Sequence, residues 1–242
     1  MMRYLILAAA VLLAMVQTAD AKKRHHRHHK KKHHARIVIN SPIAKDVFGI
    51  QDKPSQGKAR AIGFYSKGCL AGGQELPITG KAWQAMRLSR NRNWGHPVLV
   101  KFIKRIATEA QKHDGWPGLM VGDMAQPMGG PMLTGHASHQ IGLDVDIWLK
   151  PMPEKTLSQE ERETVQPVSM LAPDAKSVNP AVWSPKHFKL IKRAASDKRV
   201  TRIFVHPAIK RALCEAVGIE VNYNKPDTKA KKADKGAKTK NG

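Results

Sequence analysis

Seven consecutive residues alternate without a break: Leu143-Asp144-Val145-Asp146-Ile147-Trp148-Leu149. On a strand, Leu143, Val145, Ile147 and Leu149 share one face, and Asp144, Asp146 and Trp148 share the other. A chain with this run must lay a half-buried strand on a core and leave two carboxylates on the far side. Just before it, Gly135-His136-Ala137-Ser138-His139-Gln140-Ile141-Gly142 sets two imidazoles in a glycine-bounded loop. A turn at Gly142 folds His139 back beside Asp146.

The rest of the pattern is mixed. Residues 40–80 are rich in Gly and Pro and predict loops with short strands. Pro97 suits a first helical position, and Val98, Phe102, Ile103, Ile106, Ala107 and Ala110 recur at helical spacing on one face. Leu119 to Asp123 predicts a short buried strand, followed by a Pro/Gly loop over 127–135. Thr156-x-x-Gln159 and Ser158-x-x-Glu161 both have the form of a capping box. Ser184-Pro185 opens another helix, with Phe188, Ile191, Ala194 and Ala195 inward. Val200 to Val205 predicts a strand, and Pro207 starts a last helix that Gly218 closes. Helices and strands alternate without βαβ regularity, so the expected class is α+β, a small antiparallel sheet with flanking helices.

Charge marks the ends of the chain. The net charge is +23, and more than half of it sits in two tails. Residues 22–36 hold eight Lys/Arg, six of the twelve His and no acid; residues 225–242 hold seven Lys and two Asp. Neither stretch can bury apolar area, so both predict disorder. The His-rich tract has the composition of a loose metal or polyanion buffer, or of a solvated tether. The start reads as an export signal: Met1-Met2-Arg3, an apolar run from Tyr4 to Val16, and Ala19-Asp20-Ala21. The run is too short to span a bilayer. The expected organisation is a signal peptide at 1–21, a Lys/His-rich tether at 22–36, a folded domain at 37–221 and a Lys-rich tail at 222–242. Such a protein is expected outside the cytoplasm, where nucleic acid is not the expected partner and anionic envelope polymers would attract the tails. Two Cys in 242 residues exclude a disulfide-dense scaffold.

Imidazole nitrogen and carboxylate oxygen, as at His139 and Asp146, form half of a usual zinc shell. One more His, with His136 a candidate, would complete a catalytic site with a position left for water; zinc lowers the pKa of such water from 15.7 to about 7. Asp144 is either a partner that orients a ligand or a plain exposed strand residue. Paired His and Asp at a Gly-rich loop are equally consistent with hydrogen-bonded structural groups, and spacing alone names no reaction. His96, His113 and His187 fall at predicted helix ends, where capping or surface roles are expected.

The run GHASHQIGLDVDIWL at 135–149 resembles the signature of the penicillin-insensitive murein endopeptidases. Further stretches agree: GCLAGGQELP at 68–77, GHPVLVKFI at 95–103, VGDMAQPMGG at 121–130 and TRIFVHPAIKRALC at 201–214. The resemblance covers roughly residues 55–218. It implies a zinc peptidase with a lysostaphin/D-Ala-D-Ala-carboxypeptidase-like fold that cuts D-Ala–diaminopimelate cross-links between peptidoglycan stem peptides, using metal-activated water in place of a serine. It implies His139 and Asp146 as zinc ligands of an H-x6-D motif and His136 as an active-site His, sometimes a ligand. It also implies Asp174 as an acid toward a second metal, although Ser177 replaces a His of that pattern.

In the resembled pattern an H-x-H strand follows Gly218 and supplies the third zinc ligand. Here the sequence continues IEVNYNKPDTKAKKADKGAKTKNG, with no His after His206. The expectation is a C-terminally incomplete domain of endopeptidase lineage, with little or no hydrolytic activity. The alternative is a non-catalytic envelope-binding protein with weak zinc affinity. Cys69 and Cys214 match half-cystines whose implied partners lie in that missing part, so free thiols are expected.

Overall fold

The computed structural model describes residues 43–219. The expected signal peptide, the Lys/His tract and the Lys-rich tail lie outside the described residues.

Helix α1 (Ala44–Gly49) leads into an antiparallel hairpin of β1 (Arg60–Phe64) and β2 (Lys67–Ala71). Two short strands follow, β3 (Gln74–Glu75) and β4 (Thr79–Gly80), and then β5 (Trp83–Ala85). A 3₁₀ turn, Leu88–Arg90, precedes β6 (Trp94–Gly95), which pairs with β3. Helix α2 (Pro97–His113) then crosses to β7 (Leu119–Val121). Strand β8 (Ile147–Trp148), helix α3 (Gln159–Thr164), helix α4 (Pro185–Ala195) and helix α5 (Pro207–Glu215) complete the fold.

The α+β class holds. The principal sheet runs β4-β5-β7-β8. It is mixed where the sequence predicted antiparallel pairing throughout, because β5 and β7 are parallel. Parallel neighbours need a crossover connection, and α2 provides it. That helix buries Leu99, Val100, Ile103, Ile106, Ala107 and Ala110 against Trp116, Leu119, Val121 and Leu190. Val98, expected inward, is exposed; Leu99 and Val100 take the core positions instead, so the buried stripe is turned slightly around the helix from the one read in sequence.

The alternation at 143–149 survives as a pattern of contacts. Val145, Ile147 and Leu149 pack on the α2 core, while Trp148 packs on the opposite side with Met86, Met120, Met152 and Leu157. The ladder itself covers only Ile147 and Trp148, since β7 offers three residues to pair with. Upstream, Asp146 is still tied to the neighbouring chain: its N–H donates to Asp123 O at 2.9 Å and its carbonyl accepts from Gly122 N at 2.8 Å. Leu143 is 47% exposed. The strand predicted at Val200 to Val205 is not formed: among the described residues it has no ladder partner, and Phe204 is 76% exposed.

Of the two capping boxes read in the sequence, Thr156-x-x-Gln159 does not form, because α3 begins at Gln159 with Ser158 as its N-cap. Ser158 and Glu161 form the capping box of α3, and Ser184 caps α4 together with His187. His96 and His206 cap α2 and α5, each accepting from a backbone N–H two residues on. His113 lies in the last turn of α2 beside Glu109. Buried His187 also reaches Leu149 O at 3.1 Å and stands edge-on to Trp116, which fixes α4 to the segment leaving the sheet. Cys69 and Cys214 are free thiols.

Helices α2 and α4 are also joined by charge. Arg193 donates to both oxygens of buried Asp114, at 2.5 and 2.8 Å. That hydrogen-bonded guanidinium lowers the Asp114 pKa below its usual 3.8, against the opposing effect of burial. A depressed folded pKa stabilises the fold above the unfolded value and loses that contribution as pH falls through the folded one. Arg193→Ala should therefore cost about 1–3 kcal/mol at neutral pH. Denaturant titrations should show the gap from wild type shrinking once pH drops below the ordinary carboxylate range, near 4.

Candidate metal centre

His139 is the centre of the site. It is 2% exposed, and its backbone sits in the left-handed region at φ 65°. Such a conformation costs of order 1–3 kcal/mol in a non-glycine residue and persists only where neighbours over-determine it. Here Asp144 does so. One oxygen, Oδ2, accepts from the His139 backbone N–H at 3.0 Å and lies 2.8 Å from ring Nδ1. The ring is thereby fixed with Nδ1–H on a carboxylate and Nε2 free to coordinate. Nε2 is buried and has no hydrogen-bond partner.

The orphaned Nε2 faces Asp146, whose Oδ1 is 3.5 Å away. His136 closes the group: its Nδ1 is 3.6 Å from Asp146 Oδ2, and the two imidazoles are 5.0 Å apart between ring centres. Donor atoms of His136, His139 and Asp146 all lie within 4.8 Å of one another, a group that could hold a metal ion. Two ligands about 2.1 Å from a common tetrahedral ion stand about 3.4 Å apart, close to the separations from Asp146 seen here. The donor set and its spacing fit a single divalent cation.

Each His carries a carboxylate on its other nitrogen. For His139 it is Asp144. For His136 it is Asp123, whose Oδ2 lies 3.4 Å from Nε2. Outer carboxylates of this kind set ring orientation and raise ligand basicity. Asp123 is buried and collects cations on that one oxygen: Arg92 at 2.8 Å and Arg90 at 3.0 Å, besides His136. Arg92, itself buried, also donates to Thr134 O just before the His loop. Burial alone would pull the His139 ring below its ordinary 6.5. The Asp144 and Asp146 carboxylates outweigh burial and hold the ion-free imidazole at about 10.

The loop is seated by its neighbours in sequence. Buried Gln140 binds the β1–β2 turn three ways: its N–H donates to Tyr65 O, its amide to Ser66 O, and its Oε1 accepts from Gly68 N. At Gly142 the chain turns at φ 67°, its N–H reaching back to His139 O at 3.3 Å. A Cβ there would stand 2.7 Å from Leu70 and 2.9 Å from His96 N.

Residues 61–225 match the sequence profile of a family described as penicillin-insensitive murein endopeptidase. The chain belongs to that family. Proteins of that name from several bacteria are similar to it. The one from Yersinia enterocolitica is 46% identical over 167 residues, covering 69% of this chain and 60% of that protein. The one from Haemophilus influenzae is 46% identical over 166 residues, 68% of this chain and 57% of that protein. The one from Pectobacterium atrosepticum is 45% identical over 165 residues, 68% and 58% respectively. The chain thus spans about 60% of the length of the curated relatives it matches.

Of the residues singled out for this family, His136, His139 and Asp146 converge. Asp174 stands apart from that group, exposed in a turn where its Oδ1 accepts from Lys176 N at 3.0 Å. Of the two readings left open for Asp144, the orienting partner is the one observed. Asp123, Arg90 and Arg92 were missed by sequence reasoning. Their only local signal is a carboxylate just past a buried strand, and its cationic partners are more than thirty positions away. The expected lack of an H-x-H strand concerns residues outside the described ones.

Gly142→Ala places a side chain in both a disfavoured φ and a closed space, which should cost about 1–3 kcal/mol. Because the same turn aims His139, the variant should also lose divalent-cation uptake more steeply than it loses stability. Paired denaturation and cation-binding titrations read the two effects separately.

Proposed function

We propose that this domain is a zinc-dependent hydrolase of the peptide cross-links of peptidoglycan, acting on D-Ala–diaminopimelate bonds in the periplasm. The observation that carries the reading is the orphaned, buried Nε2 of His139, held by Asp144 and aimed at Asp146 with His136 alongside. Membership of the endopeptidase family supplies the substrate class. Among the described residues no helix is long and apolar enough to cross a membrane. Outside the described part, the basic tails would hold the protein near anionic envelope polymer by charge.

His136, His139 and Asp146 would hold the ion. Zinc bound there would supply a Lewis acid that polarises the scissile carbonyl and makes water acidic enough to attack near neutral pH. The chain's own residues do the rest. Asp144 holds a proton on Nδ1 of His139 and so leaves Nε2 as the nitrogen that gives up its proton to the ion. Asp123 does the same for the outer nitrogen of His136 and is held in place by Arg92. His136 and Asp146, 37% and 44% exposed at their side chains, are the members of the group that face the cleft where a peptide would enter. Asp174 would serve a second metal only if the turn that holds it moved toward the centre.

Four outcomes test this. Zinc uptake should reach one tight equivalent per chain, lost in His139→Ala and Asp146→Ala and retained on deletion of 22–36. Asp144→Asn should weaken zinc binding by about 10–100-fold, the usual cost of losing an outer carboxylate. Since the ion-free His139 ring keeps its second proton up to a pH of about 10, zinc must displace it. Apparent affinity should therefore rise about tenfold per pH unit across the neutral range, read by chelator competition. Against the low activity expected from the sequence, with His136 as the third ligand in place of the H-x-H histidine, zinc-loaded protein should release monomers from cross-linked muropeptides, and His139→Ala should not. One bound zinc without any cleavage would instead favour the non-catalytic, wall-binding reading.

A further inference from the structure

The metal-centre residues open onto a cleft of about 270 Å³, with His136 and Asp146 on one side and Arg87, Arg90, Trp148 and Gln166 around them. The charges there do not cancel. Asp123 is matched by Arg92 and Arg90, and Asp146 faces the two imidazoles. Arg87 has a neutral partner: its Nη2 donates to Gln166 Oε1 at 3.2 Å, and its guanidinium lies 5.4 Å from the centre of the Trp148 ring. Among the described residues no carboxylate pairs with it.

Arg87 is held in place. Its backbone is left-handed at φ 57°, as is that of Asn91 at φ 49°, on either side of the 3₁₀ turn. The turn is bolted to α3: Arg87 N donates to Arg162 O, and Ser89 binds the Glu163 carboxylate through both N–H and Oγ at 2.8 Å. A planar guanidinium on a fixed turn, with no carboxylate partner among the described residues, is a ready partner for a carboxylate, which it can grip through two parallel hydrogen bonds.

We propose that Arg87 binds the free carboxylate of the substrate that sits on the carbon bearing the scissile nitrogen. This rests on the peptidoglycan reading above. In a D-Ala–diaminopimelate cross-link that carbon carries a carboxylate, whereas a bridge attached through a simple lysine side chain offers none. Arg87 therefore selects diaminopimelate-type cross-links with the acid unmodified.

The test uses the full, zinc-free chain and two probes: a cross-linked muropeptide dimer as the free acid, and the same dimer amidated at that one carboxylate. Calorimetry should show wild type binding the acid at least about tenfold more tightly, the scale of a charged hydrogen bond. Arg87→Gln should remove the preference, and Arg87→Lys should keep part of it. Unchanged zinc uptake by both variants shows that the fold is intact. Equal binding of the two probes by wild type, no binding of either, or an undiminished preference in Arg87→Gln overturns the assignment. Cleavage by the zinc-loaded chain is a separate readout, so failure of the hydrolase reading is seen independently.

Discussion

One carboxylate oxygen, Asp144 Oδ2, decides the character of the site. It grips both the backbone N–H and the ring Nδ1 of His139. That double hold offsets a left-handed backbone and forces the remaining nitrogen to point, unpartnered, at Asp146. A buried polar atom without a hydrogen bond costs free energy, and in the ion-free centre Nε2 has only a proton held by the Asp144 and Asp146 carboxylates, with Asp146 too far for a good hydrogen bond. Binding of a cation removes that cost. The expense of building the site and its affinity for metal are two sides of one arrangement.

The fold serves to keep that arrangement still. The α2 core anchors β7, β7 fixes Gly122 and Asp123, and those residues bind the backbone of Asp146. On the other side Gln140 fastens the His loop to the β1–β2 hairpin. Gly122 lets this close approach happen, since a Cβ there would stand 2.9 Å from Trp148 Nε1 and 3.2 Å from Asp146. The paired carboxylates behind the two imidazoles and the Arg87 side of the cleft then divide the work: one side holds a cation, the other offers a cation to an anion.

What could be read from sequence was local. The H-x6-D spacing, the turn at Gly142, the Ser158 capping box and the stripe on α2 all depend on residues within a few turns of one another, and all are present in the structure. Apart from the slight turn of the α2 stripe at Val98, the misses are non-local. The parallel β5–β7 pairing depends on which strands α2 brings together. Asp123 meets Arg90 and Arg92 only after that crossover is made. The alternation at 143–149 was legible as two faces, yet the ladder covers two residues, because pairing needs a neighbour that sequence does not display. The run at 200–205 failed as a strand for the same reason.

X-ray absorption at the zinc edge, on protein loaded with one equivalent, reads the ligands directly. The spectrum should show two imidazole nitrogens and a carboxylate oxygen at about 2.0–2.2 Å from the metal, with one imidazole lost in His139→Ala. A shell without imidazole scattering, or one unchanged when His139 is replaced, would contradict this assignment of ligands.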